Sequence, residues 1–216
     1  MVKNQTSAAV AELIGRYPQL AVCEKSLLES VEIICQCFRA GGKLLVCGNG
    51  GSAADAEHIV GELMKGFLSP RPLTGQTADR LREICPAAEA EYLLQNLQGT
   101  LPAISLVNET ALTTAFANDQ AADLGFAQQV LGLGQEGDVL LGITTSGNSA
   151  NVLYAMQVAR AKGMTTLALT GASGGRVKAL ADVTVCAPEK ETYKIQEYHL
   201  PIYHMLCIAA EREFFA

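Results

Sequence analysis

The sequence predicts an α/β protein: a three-layer α/β/α sandwich built on a five-stranded parallel sheet, with additional helices at the N-terminus. Three observations carry this. Five short apolar runs recur between residues 43 and 187. Helix-like segments separate them, and strand–helix alternation implies a parallel sheet covered on both sides. The runs are also continuously apolar rather than alternating, as suits strands buried on both faces.

The strand candidates are 43–47 (KLLVC), 103–108 (AISLVN), 138–144 (DVLLGIT), 165–170 (TTLALT) and 182–187 (DVTVCA). Helices are expected over 53–66, 119–133, 149–162 and 174–181. Ahead of the first strand, residues 5–40 hold two apolar-periodic segments separated by Pro18. In the second, Leu27, Leu28, Val31, Ile34 and Cys35 share one helical face, and Gly41-Gly42 ends it. That stripe needs a partner surface, and another subunit could supply it. The last segment, 194–213, is helical in pattern but contains Pro201. This proline removes the bond to the Glu197 carbonyl and predicts a kink.

Residues 69–100 break the rhythm. Leu81, Ile84 and Cys85, then Leu93, Leu94 and Leu97, suggest one or two short helices split by Pro86. The organisation is therefore an N-terminal helical segment (1–42) and an α/β unit (43–216) with a helical insertion at 69–100, together one structural domain.

Composition narrows the function classes. The 216 residues are 49% apolar, enough for a sizeable core. A net charge of −6 argues against sequence-independent nucleic-acid binding, which requires a basic surface. No run of 18 apolar residues predicts a membrane span, and the N-terminus lacks the apolar centre of a signal peptide. The seven cysteines are an odd number. Most, including Cys35, Cys37, Cys47, Cys186 and Cys207, lie in apolar segments, which fits reduced, buried thiols and a cytoplasmic protein. No second cysteine pair accompanies Cys35 and Cys37 at zinc-site spacing.

Two glycine- and hydroxyl-rich turns follow strand candidates. The first, Gly48-Asn49-Gly50-Gly51-Ser52-Ala53, fits the dinucleotide pattern G-x-G-x-x-A. That pattern needs an acidic residue about 20 positions on, at the end of a second strand. Here the position falls near Leu68 and Ser69 with no strand between, so no nucleotide cofactor is expected. The second is TTSGNS, 144–149. Thr144, Thr145, Ser146 and Ser149 can donate to phosphate oxygens beside a helix N-terminus, which favours anions. Alone, the first is explained by a tight strand-to-helix turn and the second by an N-cap with spare hydroxyls; the pair favours a phosphate site.

The three histidines fall in two places. His58 and Glu62 are four apart and share a helix face. His199 and His204 lie in KIQEYHLPIYH, with Gln196 eight positions before His204. Carboxylate and imidazole together can transfer protons or hold a metal. Read alone, each helix is better explained by surface polarity.

The segments CGNGGSAADAEHIVGEL, AFANDQAADLGFAQQV, EGDVLLGITTSGNSANVLYAMQVARAKGM, LTGASGG and KIQEYHLPIYH together resemble the bacterial phosphoheptose isomerases, a family of sugar-isomerase (SIS) domains with a flavodoxin-like fold. The resemblance spans 24–68 and 101–213. It implies conversion of sedoheptulose 7-phosphate to glycero-manno-heptose 7-phosphate through an enediol. It implies Glu62 as base and His204 as acid. It implies one zinc ion per subunit on His58, Glu62, Gln196 and His204. Substrate contacts carry over to Asn49, Gly50, Gly51, Ser52, Glu62, Asn118, Asp119, Thr144, Thr145, Ser146, Ser149 and Gln196. It also implies a homotetramer with active sites between subunits, and no nucleic-acid or membrane partner.

Three departures stand out: the long 69–100 insertion, Tyr193 where the family has an aspartate, and Thr144 where serine is common. A non-catalytic branch of the family binds the replication initiator and typically lacks the acid histidine. The presence of both Glu62 and His204 favours an enzyme.

Overall fold

The computed structural model describes residues 4–215; Met1 to Lys3 and Ala216, which fall in the predicted terminal segments, lie outside them. Five parallel strands form one sheet: β1 (Leu44–Gly48), β2 (Ala103–Ser105), β3 (Val139–Ile143), β4 (Thr165–Thr170) and β5 (Val183–Cys186). Their order is β2-β1-β3-β4-β5. Chain direction across the sheet therefore reverses between β1 and β3. In open α/β sheets the crevice at that point, beyond the strands' C-terminal ends, is where ligands bind.

Side chains alternate between faces, as strand geometry requires. Leu44 and Val46 enter one core and Leu45 and Cys47 the other; Val139 and Leu141 oppose Leu140 in the same way. Every residue of β1 and β3 is buried. This is why these segments read as unbroken apolar runs.

One face carries α1 (Asn4–Arg16), α2 (Glu24–Arg39), α3 (Gly51–Met64) and α9 (Thr192–Phe215). The other carries α7 (Gly125–Leu133) and α8 (Ala150–Ala161). Pro18 opens a 3-10 turn between α1 and α2, at the break expected there. Leu27, Val31, Ile34 and Cys35 are buried within this chain, under α9 and against the sheet. The α2 stripe thus needs no other subunit.

The insertion forms two helices, α4 (Gln76–Ile84) and α5 (Ala87–Asn96), parted at Pro86. Ala78 and Ala90 are their buried positions, while Ile84 and Tyr92 are exposed. At the root, the Gly66 N–H donates to Gln98 Oε1 (2.9 Å), Gln98 Nε2 donates to the Pro70 carbonyl (3.0 Å), and the Gly99 N–H donates to the Arg71 carbonyl (2.7 Å).

Three expectations need correction. The helix predicted over 119–133 begins only at Gly125, as α7: Asp119 ends a separate helix, α6 (Thr110–Asp119), Gln120 leaves helical geometry at φ −130°, ψ −88°, and Ala122–Leu124 is a 3-10 turn. The segment 174–181 holds only a 3-10 turn, Arg176–Ala179, since Gly174 and Gly175 take left-handed backbone that ends any earlier helix. And α9 continues unbroken through Pro201. Buried His199, Ile202 and Tyr203 hold the flanking turns against the core.

All seven cysteines are free thiols, and five are buried. Among the described residues no helix is long and apolar enough to cross a membrane.

His199 is fully buried. Burial pushes its imidazole from the ordinary 6.5 down to about 4, although its Nε2 lies 3.3 Å from the Thr170 carbonyl. Between those values the unfolded chain binds the proton and the folded chain does not. His199 therefore contributes stability that is complete above pH 6.5 and is lost as pH falls toward 4, about 3 kcal/mol in total. Burial pushes the Asp55 carboxyl up to about 6, so Asp55 acts with the opposite sign over much of this window. Net stability will change less than either contribution alone. Histidine ring NMR separates them: we expect the His199 signal to titrate near pH 4, and a midpoint above 6 would contradict this.

Candidate active site

Both glycine turns lie at the C-terminal edge of the sheet, on either side of the β1/β3 crevice. Gly50 caps α3 with φ 57°, ψ −120°, and Ser149 caps α8. Neither cap residue closes its helix start with a side-chain bond; the Ser52 and Ala53 N–H groups turn back to the Asn49 and Gly50 carbonyls and the Val152 N–H to Asn151 Oδ1, which leaves the first N–H groups of each helix, at Gly51 and at Ala150 and Asn151, as donors. Thr144 Oγ1 and Ser149 Oγ are 2.9 Å apart, and the Asn148 N–H donates to Ser146 Oγ at 3.1 Å.

The two turns are tied together. Asn49 and Asn151 exchange amide hydrogen bonds, Nδ2 to Oδ1, at 2.9 and 2.8 Å. A Cβ on Gly51 would collide with the Gln196 amide, and one on Gly147 with the Gly174 backbone carbonyl. Those glycines let α9 and the 171–175 turn approach the two loops. Asn151 was not among the residues expected from sequence. Its partner is 102 positions away, so no local pattern marks it.

A second group of residues lies further along α3 and α9. His58 Nε2 is 3.2 Å from Glu62 Oε1, and His58 Nδ1 is 2.9 Å from the Tyr203 hydroxyl. The His204 ring centroid is 5.0 Å from those of His58 and of Tyr203. Lys65 Nζ donates to the other Glu62 oxygen at 3.1 Å. The Glu62 side chain is only 12% exposed. His204 Nε2 is buried with no hydrogen-bond partner.

Tyr203 and Asp55 were also missed in the sequence. The Tyr203 hydroxyl meets His58 Nδ1, and burial together with the nearby Asp55 carboxylate raises the phenol above its ordinary value. His58 Nε2 faces the Glu62 carboxylate at 3.2 Å. Ligands on a tetrahedral zinc stand roughly 3.3 Å apart, given bonds of about 2.0 Å. His58, Glu62 and the His204 nitrogen carry donor atoms of the kind zinc takes, but no group of three or more His, Cys, Asp or Glu among the described residues is placed to hold a metal ion. Gln196, the fourth expected ligand, packs its amide against Gly51 instead.

Burial pushes the His204 imidazole below its usual value, and the charge of nearby His58 adds to this. It is therefore neutral at pH 7, able to donate or accept one proton. It opens into a cleft of about 430 Å³ between α1 and α9, lined in part by Arg16, Tyr17, Phe67 and Leu200.

Not all the expected residues come together. Ser52 and Glu62 are ten positions apart on α3, about 15 Å along its axis. Asn118 and Asp119 sit at the exposed end of α6, where the Asn118 amide donates to the Asp119 carboxylate at 2.8 Å. One chain presents two loops for an anion, a separate acid–base cluster and an exposed Asn–Asp pair.

The fold and these loops define a SIS domain, and the SIS-domain family model matches residues 19–96 and 86–171. A phosphoheptose isomerase of Roseiflexus is 41% identical over 184 residues, covering 85% of this chain and 80% of that protein. Two solved structures, each 32% identical, superpose closely. They are the phosphoheptose isomerase of Neisseria gonorrhoeae (TM-score 0.72, 98% of this chain and 100% of that one) and that of Francisella tularensis (TM-score 0.75, 91% of each). The chain belongs to the phosphoheptose isomerase family.

Removing one side of the loop tie should loosen the anion site. We expect Asn151→Ala to raise the KM for a sugar phosphate by about tenfold, the loss of roughly 1.4 kcal/mol, with a smaller change in kcat. An unchanged KM would show that the amide pair does not shape the loops.

Proposed function

We propose that this protein is a ketose–aldose isomerase that converts sedoheptulose 7-phosphate to D-glycero-D-manno-heptose 7-phosphate, in heptose biosynthesis for cell-surface polysaccharide. The observation that carries this is the pairing of a nearly buried carboxylate, Glu62, with the neutral, unpartnered His204 imidazole, in a chain whose relatives are named phosphoheptose isomerases.

Glu62 takes the proton from C1 of the ketose, an enediol forms across C1 and C2, and the proton returns to C2. His204 moves the accompanying proton between the O1 and O2 oxygens. A base and an acid in a water-poor cleft suffice for this chemistry. The phosphate is held by Asn49, Gly50, Gly51, Ser52, Thr144, Thr145, Ser146 and Ser149, through N–H and O–H donors. Gln196 and the Asn118–Asp119 pair contact the sugar. A zinc ion held by His58, Glu62 and His204, with Gln196 after rotation of its amide, would polarise the substrate oxygens when bound.

We also propose that the active protein is a cytoplasmic homotetramer. The distance along α3 between loops and acid–base cluster supports sites completed by a neighbouring copy, and so does the exposure of α6, which has no buried residue. Light scattering should give a mass four times that of the chain; a monomer with full activity would refute the shared site.

The reaction is tested by supplying sedoheptulose 7-phosphate and following the aldose product. Glu62→Gln should lose at least a thousandfold in kcat while the sugar phosphate still binds. Activity within tenfold of the parent would remove Glu62 as base. Zinc binding followed by calorimetry should weaken by tenfold or more in His58→Ala and in His204→Ala. Equal zinc affinity in all three proteins would exclude this ligand set.

A further inference from the structure

Nothing in the sequence pattern points to Arg71 or Glu211, yet among the described residues they form the most completely bonded ion pair. Their side chains are 0% and 1% exposed, and Arg71 Nε donates to Glu211 Oε1 at 2.7 Å. Glu211 also accepts from the backbone N–H groups of Phe67 (2.8 Å), Leu68 (2.7 Å) and Ser69 (3.1 Å). The rest of the guanidinium turns to the end of α3: Nη1 donates to the Leu63 carbonyl at 2.7 Å and Nη2 to the Glu62 carbonyl at 3.1 Å. The Phe215 ring lies 4.8 Å from the guanidinium carbon.

The last carbonyls of a helix have no partner within it. Here a cation supplies the partners, and a cation at a helix C-terminus is also favoured by the helix dipole. The Glu62 carbonyl belongs to the same residue as the catalytic carboxylate. Glu211 follows His204 by seven positions, two turns of α9, so both lie on the face toward α3. The same guanidinium therefore fixes the backbone that carries the base to the helix face that carries the acid.

A second observation agrees. Arg71 is the only non-glycine among the described residues with positive φ, at 49°. An L-residue keeps such a conformation only where its surroundings dictate it. Here the dictating element is the guanidinium, whose nitrogens reach three acceptors on two helices. Burial alone would raise the Glu211 carboxyl, but the Phe67 and Leu68 N–H groups and the Arg71 guanidinium hold it below the ordinary carboxylate range. The pair is thus charged.

We infer that Arg71 and Glu211 are positioning residues for proton transfer: a buried clamp that sets Glu62 against His204 by pinning the C-terminal turn of α3 to α9. Neither residue touches substrate. The inference rests on the isomerase reading for its kinetic consequence, but the geometric consequence stands without it.

The test uses Arg71→Lys and Glu211→Gln in the full-length protein as isolated. Lysine keeps the charge but, as a point donor, loses the fork that spans both helices. Glutamine keeps the size of Glu211 and one carbonyl acceptor. Thermal melting, steady-state kinetics on sedoheptulose 7-phosphate and histidine ring NMR are measured together. For folded variants we expect kcat to fall at least tenfold with KM within twofold. We expect the His58 and His204 ring signals to shift while that of His199, at the other end of α9, stays in place. A purely structural pair would lower the melting temperature and leave kcat and the ring signals unchanged below it; that result overturns the inference, and so does failure of both variants to fold. If the parent protein itself turns over no sedoheptulose 7-phosphate, the substrate reading falls. The ring signals then decide the clamp alone: shifts at His58 and His204 support it, and unchanged signals overturn it.

Discussion

The site depends on one packing arrangement: α3 and α9 run side by side, both starting at the C-terminal edge of the same parallel sheet. Because each follows a strand of that sheet, they descend in the same direction. Position along one helix then matches position along the other. Gln196 meets Gly51 near the top, Tyr203 meets His58 in the middle, and Glu211 meets the chain just past α3 at the bottom. Side chains from opposite halves of the sequence are thereby brought into hydrogen-bonding distance without any long loop.

That register explains the sharing of roles. Glycine at position 51 allows the close approach of Gln196 at the top. The middle is polar and only partly exposed, with the Tyr203 hydroxyl 2.9 Å from His58 Nδ1. At the bottom, Arg71 closes the helix end and takes the place that water would occupy on the last carbonyls. Burying that charge pair is costly in itself. The six acceptor–donor contacts around Glu211 and the guanidinium offset the cost.

Much of the fold was legible in the sequence because the strands are covered on both faces. Runs such as LLVC and VLLGI have one plausible fate in a chain with this alternation. The turns were legible because they combine glycine with hydroxyl residues directly after those runs. His58 and Glu62 were legible through their spacing of four. The break at Gln120 was not, since nothing in AFANDQAADLGFAQQV interrupts a helical pattern by composition. Nor was the passage of α9 through Pro201, where burial of neighbouring turns overrides a local penalty. Asn151, Tyr203 and Arg71 were invisible for a different reason. Their meaning lies in partners 102, 145 and 140 residues away, and a single sequence read by itself carries no record of such pairs.

The two turns at the crevice contain no lysine or arginine: Gly48 to Ser52 and Thr144 to Ser149 would offer an anion neutral groups alone. In a protein of net charge −6 this has a physical effect. Attraction between full charges fades as ionic strength rises, whereas short-range donation from fixed N–H and O–H groups does not. Capture of a dianion here is accordingly a matter of shape and direction, insensitive to the salt content of the surrounding medium, and little long-range field opposes the departure of an equally charged product.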